Sequence, residues 1–194
     1  YGLVGSEMCI RDRFIRYNKE KGLSRGCRCL ILDVAFLPSE VGELKGKLCI
    51  LIDVLRATST IVTLLERGCS RLFLVKEIEE AQEKSLDDNF LLCGERGCLP
   101  PSGFDYGNSP YEFSKLHLEE EQIILTTTNG TRAAESLFSA ETVLVGSFLN
   151  GEACASEARE KGRDIVIVCA GREMAFVIDD AVCAGFLVDS LLNK

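Results

Sequence analysis

The chain has 194 residues, 46% of them hydrophobic and 27% charged, with a net charge of −8 and a pI near 4.9. That composition suits one soluble globular domain, and its acidic balance argues against a nucleic-acid surface, which needs a basic stripe. No apolar run reaches the length of a membrane span and no secretory signal opens the chain, so the expected location is cytoplasmic, with neither nucleic acid nor membrane as partner.

Residues 1–13, YGLVGSEMCIRDR, match nothing that follows and resemble a translated sequencing adapter. They are set aside as a non-native tail, leaving one α/β domain over residues 28–194. Short Leu-rich or β-branched runs predict strands at 29–34, 48–54, 71–76, 89–94, 122–128, 142–147 and 164–171. Several are continuously apolar, as strands covered on both faces must be. Between them, helices are predicted at 57–68, with Thr or Ser as cap and Gly68 as stop, and at 78–88, 110–118, 130–140 and 150–162. The chain still reads as an amphipathic helix over 181–194, so the domain is expected to be incomplete at its C-terminus. Alternating strand and helix predicts an α/β fold, a mostly parallel sheet with helices on both faces. No sequence repeat is visible.

The ten cysteines form no C-x-x-C pair. Free thiols used as small hydrophobes are the expected reading. His117, flanked by charge, is expected on the surface. Walker, dinucleotide-binding and nucleophile-elbow signatures are all missing.

In an open parallel sheet, ligands bind beyond the carboxyl ends of the strands. Polar residues collect at those exits. Asp53, Arg56 and Thr58 follow the second strand; Glu95 and Arg96 follow the fourth; Thr126 to Arg132 follow the fifth. Ser147 and Asn150 follow the sixth, and Arg172, Asp179 and Asp180 follow the seventh. The segment 95–110, long, glycine-containing and holding three of the four prolines, adds Asp105 and Asn108. Arg56, Arg96 and Arg132, with the hydroxyls and turn amides of Thr128, Asn129, Gly130 and Thr131, suit the oxygens of phosphate, sulfonate or carboxylate. Asp53, Glu95, Asp105, Asp179 and Asp180 suit a hard cation such as Mg²⁺, or general-base work. Singly, each has a plainer reading. Asp53 could cap a helix, Asp179-Asp180 complement a helix dipole, an arginine make a surface ion pair, and Asn108-Ser109-Pro110 form a turn and cap. Asn129-Gly130 is a strong hairpin signal, but a helix pattern follows it, so a tight strand-to-helix turn is expected.

Five segments, IDVLRATSTIVTLLERG, GERGCLPPSGFDYGNSP, LTTTNGTRA, VGSFLN and VCAG…FVIDDAVCAG, taken in order, resemble the 2-phosphosulfolactate phosphatase family. The resemblance runs from about Leu32 to the C-terminus. It implies a Mg²⁺-dependent phosphatase that hydrolyses 2-phospho-3-sulfolactate to 3-sulfolactate and phosphate in coenzyme M biosynthesis, or acts on another 2-phospho acid. A non-catalytic phospho-ligand-binding domain is the alternative. The implied partner is a small anionic phospho-acid, and homo-oligomerisation is compatible with the sequence. In the roles that chemistry suggests, Asp53 and Asp180, with Asp179, hold Mg²⁺, and Glu95 or Asp105 serves as further ligand or base. Arg56, Arg132 and the 128–131 turn hold phosphate, Arg96 takes the carboxylate or sulfonate, and Asn108, Ser147 and Asn150 line the substrate. Two departures from the family pattern stand out. Cys98 replaces a second Gly, and Asp179 replaces a Glu, shortening the reach by one methylene.

Overall fold

A computed structural model describes residues 8–10, 31–86 and 90–193. Its strands are β1 (Met8–Ile10), β2 (Leu32–Ala35), β3 (Leu48–Ile52), β4 (Arg71–Leu74), β5 (Phe90–Gly94), β6 (Gln122–Thr126), β7 (Thr142–Gly146) and β8 (Ile165–Cys169). Its α-helices are α1 (Ala57–Glu66), α2 (Ile78–Ser85), α3 (Pro110–Phe113), α4 (Gly130–Ser136), α5 (Gly151–Lys161) and α6 (Ile178–Leu192). The strand–helix alternation is as expected, but the strands form two sheets. One runs β2-β8-β3-β7 and is wholly parallel; the other runs β1-β4-β6-β5, with only β1 antiparallel. Met8–Ile10, set aside as tail, thus pairs with Leu72–Leu74 at a sheet edge.

Side-chain alternation, with its period of two, explains the layering. In β3, Cys49 and Leu51 face inward while Leu48, Ile50 and Ile52 face the other way. The outward set, with Ile165 and Ile167 of β8, packs on α5 and α6 through Ala155, Ala158, Cys183 and Leu187. The inward set shares one core with Leu72, Ile123 and Leu125 of the second sheet and with Ile61 and Leu64 of α1, Ala133 of α4 and its C-cap Leu137, and Phe113 of α3. On the far side, Phe73, Leu92 and Ile124 meet Ala81 of α2. The order is therefore helix, sheet, helix, sheet, helix, and the continuously apolar strands are those covered twice.

The element order also repeats, although the sequence shows no repeat. Both β3-α1-β4-α2-β5-α3 and β6-α4-β7-α5-β8-α6 begin with a strand in one sheet and place the next two in the other. Each half's first strand is inserted between the other half's pair. Ile50 of β3 pairs with Leu144 and Ile167, and Ile124 of β6 with Phe73 and Leu92. The exchange brings the exits of β3 and β6 together.

Some boundaries differ. The helix expected at 110–118 stops at Phe113, because Leu116 turns back to the Phe113 carbonyl and Leu118 bonds to Arg67. Ser109 caps it, its Oγ accepting from the Glu112 N–H at 3.3 Å. Helix α1 lacks the expected Ser or Thr cap; its N-cap is Arg56, without a side-chain bond. The last helix begins at Ile178, bringing Asp179 and Asp180 into its first turn. Positions 29, 30 and 87–89 lie outside the described residues. Cys49, Cys69, Cys93, Cys98, Cys154, Cys169 and Cys183 are free, and all of these but Cys98 are buried. No helix among the described residues is long and apolar enough to cross a membrane.

Candidate active site

Asp53 leaves β3 buried, at 8% exposure. Its Oδ1 accepts from the Ala57 N–H at 3.2 Å, and its carbonyl accepts from the Thr58 N–H at 2.8 Å, so Asp53 supplies the missing cap of α1. The Thr58 hydroxyl closes back on the same carbonyl at 2.9 Å. Thr127 mirrors this at the exit of β6: its Oγ1 accepts from the Thr131 N–H at 3.1 Å, with the same i, i+4 spacing as Asp53 and Ala57. Gly130 packs between the two exits. A Cβ there would stand 2.5 Å from Ala57 Cβ, 2.9 Å from Asp53 Oδ2 and 3.0 Å from Thr127 Oγ1. Glycine is required by close approach, and the free carboxylate oxygen of Asp53 faces the 127–130 turn.

Asp180 reaches the same place from α6. Its Oδ1 accepts from the Val54 N–H at 2.9 Å and its Oδ2 from the Gly171 N–H at 3.1 Å. Burial, then the neighbouring Asp180 charge, pushes the Asp53 carboxyl up to about 7 against the opposing Ala57 N–H, with Glu95 and Asp179 adding smaller repulsions. Burial also pushes Asp180 up, to about 6, against its two N–H donors. Glu95 goes the other way. Burial alone would raise it, but the N–H groups of Thr128 (2.7 Å) and Cys98 (2.9 Å), the Thr128 hydroxyl and the Arg96 guanidinium hold it below the usual carboxylate range.

The expected site residues therefore divide. Asp53, Glu95, Thr128, Asn129, Gly130, Thr131 and Asp180 come together, with Asp179 one residue from Asp180. The Asn129 Oδ1 accepts from the Glu173 N–H at 3.0 Å, tying the α4 turn to the segment after β8. Arg56 is half-buried and Arg132 exposed, and neither guanidinium has a hydrogen bond or ion pair among the described residues. Asp105 does not join them. Its Oδ2 accepts from the Leu92 N–H at 2.8 Å, covering the outer edge of β5. Ser147 and Asn150 are occupied with each other and with backbone: Asn150 Oδ1 accepts from the Ser147 N–H at 2.9 Å, and its Nδ2 donates to the Val145 carbonyl at 2.8 Å. Asn108 is buried, with its Oδ1 unpartnered among the described residues. His117 is exposed, as expected. Sequence reasoning gave no role to the Thr127 hydroxyl or to the Gly171 N–H; the Thr127–Thr131 spacing, repeating Asp53–Ala57, was the available signal.

Cys98, standing where the family pattern has glycine, adopts φ 68°. An L-residue in this left-handed region costs about 1 kcal/mol relative to glycine. Cys98→Gly is expected to raise the melting temperature by about 2–4 °C, as read by thermal denaturation.

Among the described residues no three acidic, His or Cys side chains form a ready-made metal cage. Mg²⁺ does not need one. It takes one or two carboxylates and fills its octahedron with water and substrate oxygens. Asp53 and Asp180, buried close enough for one charge to raise the other's pKa, are a donor set that fits such a cation.

Buried carboxylates beside a glycine-containing strand-to-helix turn, in an α/β fold, suit an enzyme for a small anionic substrate. A family model described as 2-phosphosulpholactate phosphatase matches residues 35–194. A probable 2-phosphosulfolactate phosphatase of Clostridium novyi is 39% identical over 168 residues, 84% of this chain and 71% of the relative. Those of Clostridium acetobutylicum and Pseudothermotoga lettingae are 42% and 40% identical, over 78% and 84% of this chain and 66% and 70% of their own lengths. The chain belongs to the 2-phosphosulfolactate phosphatase family, and so to the phosphoric monoester hydrolases.

Proposed function

We propose that the protein is a Mg²⁺-dependent phosphatase that cleaves the phosphate ester of 2-phospho-3-sulfolactate, releasing 3-sulfolactate and phosphate for coenzyme M biosynthesis. The observation that carries this reading is the free Oδ2 of Asp53 facing the 127–130 turn, with Asp180 beside it. When bound by Asp53 and Asp180, Mg²⁺ would supply charge neutralisation at the phosphoryl oxygens. Arg56 and Arg132, unpaired among the described residues, bind and orient the phosphate. In one role, Asp53 Oδ2 would accept a hydrogen bond from the attacking water and orient it toward phosphorus. In the other, the same oxygen would attack phosphorus, the substrate's C2 oxygen leaving as the alcohol and water then hydrolysing the aspartyl phosphate.

Phosphate release from phosphosulfolactate, phospholactate and phosphoglycolate, with Mg²⁺ and with a chelator, tests the reading. Release is expected only with Mg²⁺, with the highest kcat/KM for phosphosulfolactate. No release from any of the three overturns it. A single turnover quenched with hydroxylamine separates the two roles of Asp53: an aspartyl phosphate is trapped as a hydroxamate at residue 53, whereas direct water attack leaves the carboxylate unmodified.

A further inference from the structure

The structural repeat places an arginine at the same corner of both halves. Arg96 opens a hairpin closed on Leu99, and Arg172 opens one closed on Ala175. Each is sealed by reciprocal backbone bonds, at 2.9 and 3.2 Å in the first and 2.9 Å twice in the second. Each turns through two residues of positive φ: Gly97 (57°) and Cys98 (68°), Glu173 (50°) and Met174 (65°). That is the two-residue turn that matches strand twist.

The two guanidiniums differ in what they hold. Arg96 is half-buried and donates to the carbonyls of Glu95 (2.8 Å) and Lys76 and to the Thr126 hydroxyl (2.8 Å). These acceptors stand at the exits of β5, β4 and β6, so Arg96 clamps the end of its own sheet. Arg172 is exposed, and its guanidinium has no hydrogen bond or ion pair among the described residues. Its hairpin is nevertheless anchored at the site on both sides: the Gly171 N–H donates to Asp180 Oδ2 at 3.1 Å, and the Glu173 N–H to Asn129 Oδ1 at 3.0 Å. Arg172 stands between these anchors, on a backbone held to the carboxylate corner and to the anion turn.

We propose that Arg172 is the specificity-determining arginine, taking the substrate's carboxylate or its sulfonate, and that Arg96 is a positioning residue. This rests on the phosphatase reading. The guanidinium fork matches two oxygens of a carboxylate or a sulfonate. The sequence suggested Arg96 for this role, but its donors are already directed at protein oxygens.

The test measures kcat and KM of the full chain for phosphosulfolactate, phospholactate and isopropyl phosphate, which carries no second acid. Arg172→Gln is expected to raise KM about tenfold or more for an acidic substrate, with kcat within about twofold. Isopropyl phosphate should be unaffected, and Arg172→Lys should recover part of the loss. An effect on both acidic substrates identifies the carboxylate as the ligand; an effect on phosphosulfolactate alone identifies the sulfonate. Arg96→Gln should lower the melting temperature and reduce kcat for all three. Unchanged KM for both acidic substrates in Arg172→Gln, or an equal rise for isopropyl phosphate, overturns the proposal. If the unmutated chain releases no phosphate at all, the phosphatase reading fails. Calorimetric titration with 3-sulfolactate then still tests Arg172: weaker binding by Arg172→Gln supports the proposal, and equal binding overturns it.

Discussion

Asp53→Asn is expected to abolish phosphate release while making the metal-free protein more stable at pH 8. The carboxyl is buried and pushed up to about 7, chiefly by burial and then by Asp180. In an unfolded chain it titrates near 4. A folded pKa raised above the unfolded one gives stability that is fully present below about pH 4 and lost as pH rises through 7. The metal-free protein should therefore melt at a lower temperature at pH 8 than at pH 5. At about 1.4 kcal/mol per pKa unit, the loss is at most about 4 kcal/mol. Asparagine has no charge to desolvate, and its Oδ1 still accepts from the Ala57 N–H, so the share of the pH-dependent loss that comes from residue 53 disappears and the smaller share from Asp180, itself pushed up to about 6, remains. Mg²⁺ should raise the melting temperature of the unmutated protein at pH 8, because a ligand that binds only the folded state stabilises it. It should do little for the variant. Activity should fall about 1000-fold or more, since the free oxygen facing the anion turn becomes an amide. Thermal denaturation at both pH values, with and without Mg²⁺, and a phosphate-release assay check each part. At Asp180 the same substitution should instead destabilise, by about 1–3 kcal/mol. Both its oxygens accept backbone N–H groups, and an amide nitrogen cannot.

Gly94→Ala is expected to be the most damaging single methyl group in the fold. At φ 154°, a Cβ there would lie 2.1 Å from the Thr126 carbonyl oxygen and 2.9 Å from its Cγ2. The carbonyl belongs to the neighbouring strand and accepts from the Glu95 N–H at 2.9 Å, so β5 and β6 must part to admit the methyl. The expected cost is about 3 kcal/mol or more, a fall of roughly 6–12 °C in melting temperature. Parting these strands also moves Glu95 away from the Thr128 N–H, so kcat/KM should fall even at temperatures where the variant remains folded. Activity and circular dichroism measured together at 20 °C below its melting temperature separate the two effects. A variant that is fully folded, fully active and unchanged in melting temperature would contradict this account of the β5–β6 junction.

The chemistry at the strand exits was legible because it is local. Asp53 and the Thr126–Arg132 run stand where an apolar strand ends, and an exiting strand places whatever follows it at the sheet's carboxyl edge. Asp105 and Ser147 misled for the same reason. They too stand in loops near exits, but the Leu92 N–H and the Asn150 amide hold them. Which polar groups a backbone N–H or carbonyl already occupies is a matter of partners distant in sequence.

By itself, the sequence determined the strand–helix alternation, the buried strands, the strand-to-helix turn at Asn129-Gly130 and the kinds of group available for chemistry. These follow from hydrophobic period, turn chemistry and side-chain type, all local properties. Only the tertiary structure decided that there are two sheets, that each half lends its first strand to the other, and that Asp53 and Gly130 therefore meet. It also decided the difference between Arg96 and Arg172, alike in their hairpins but unlike in what surrounds them. Strand exchange and the occupancy of donors depend on which distant segments pack together, and no window of the chain contains both partners.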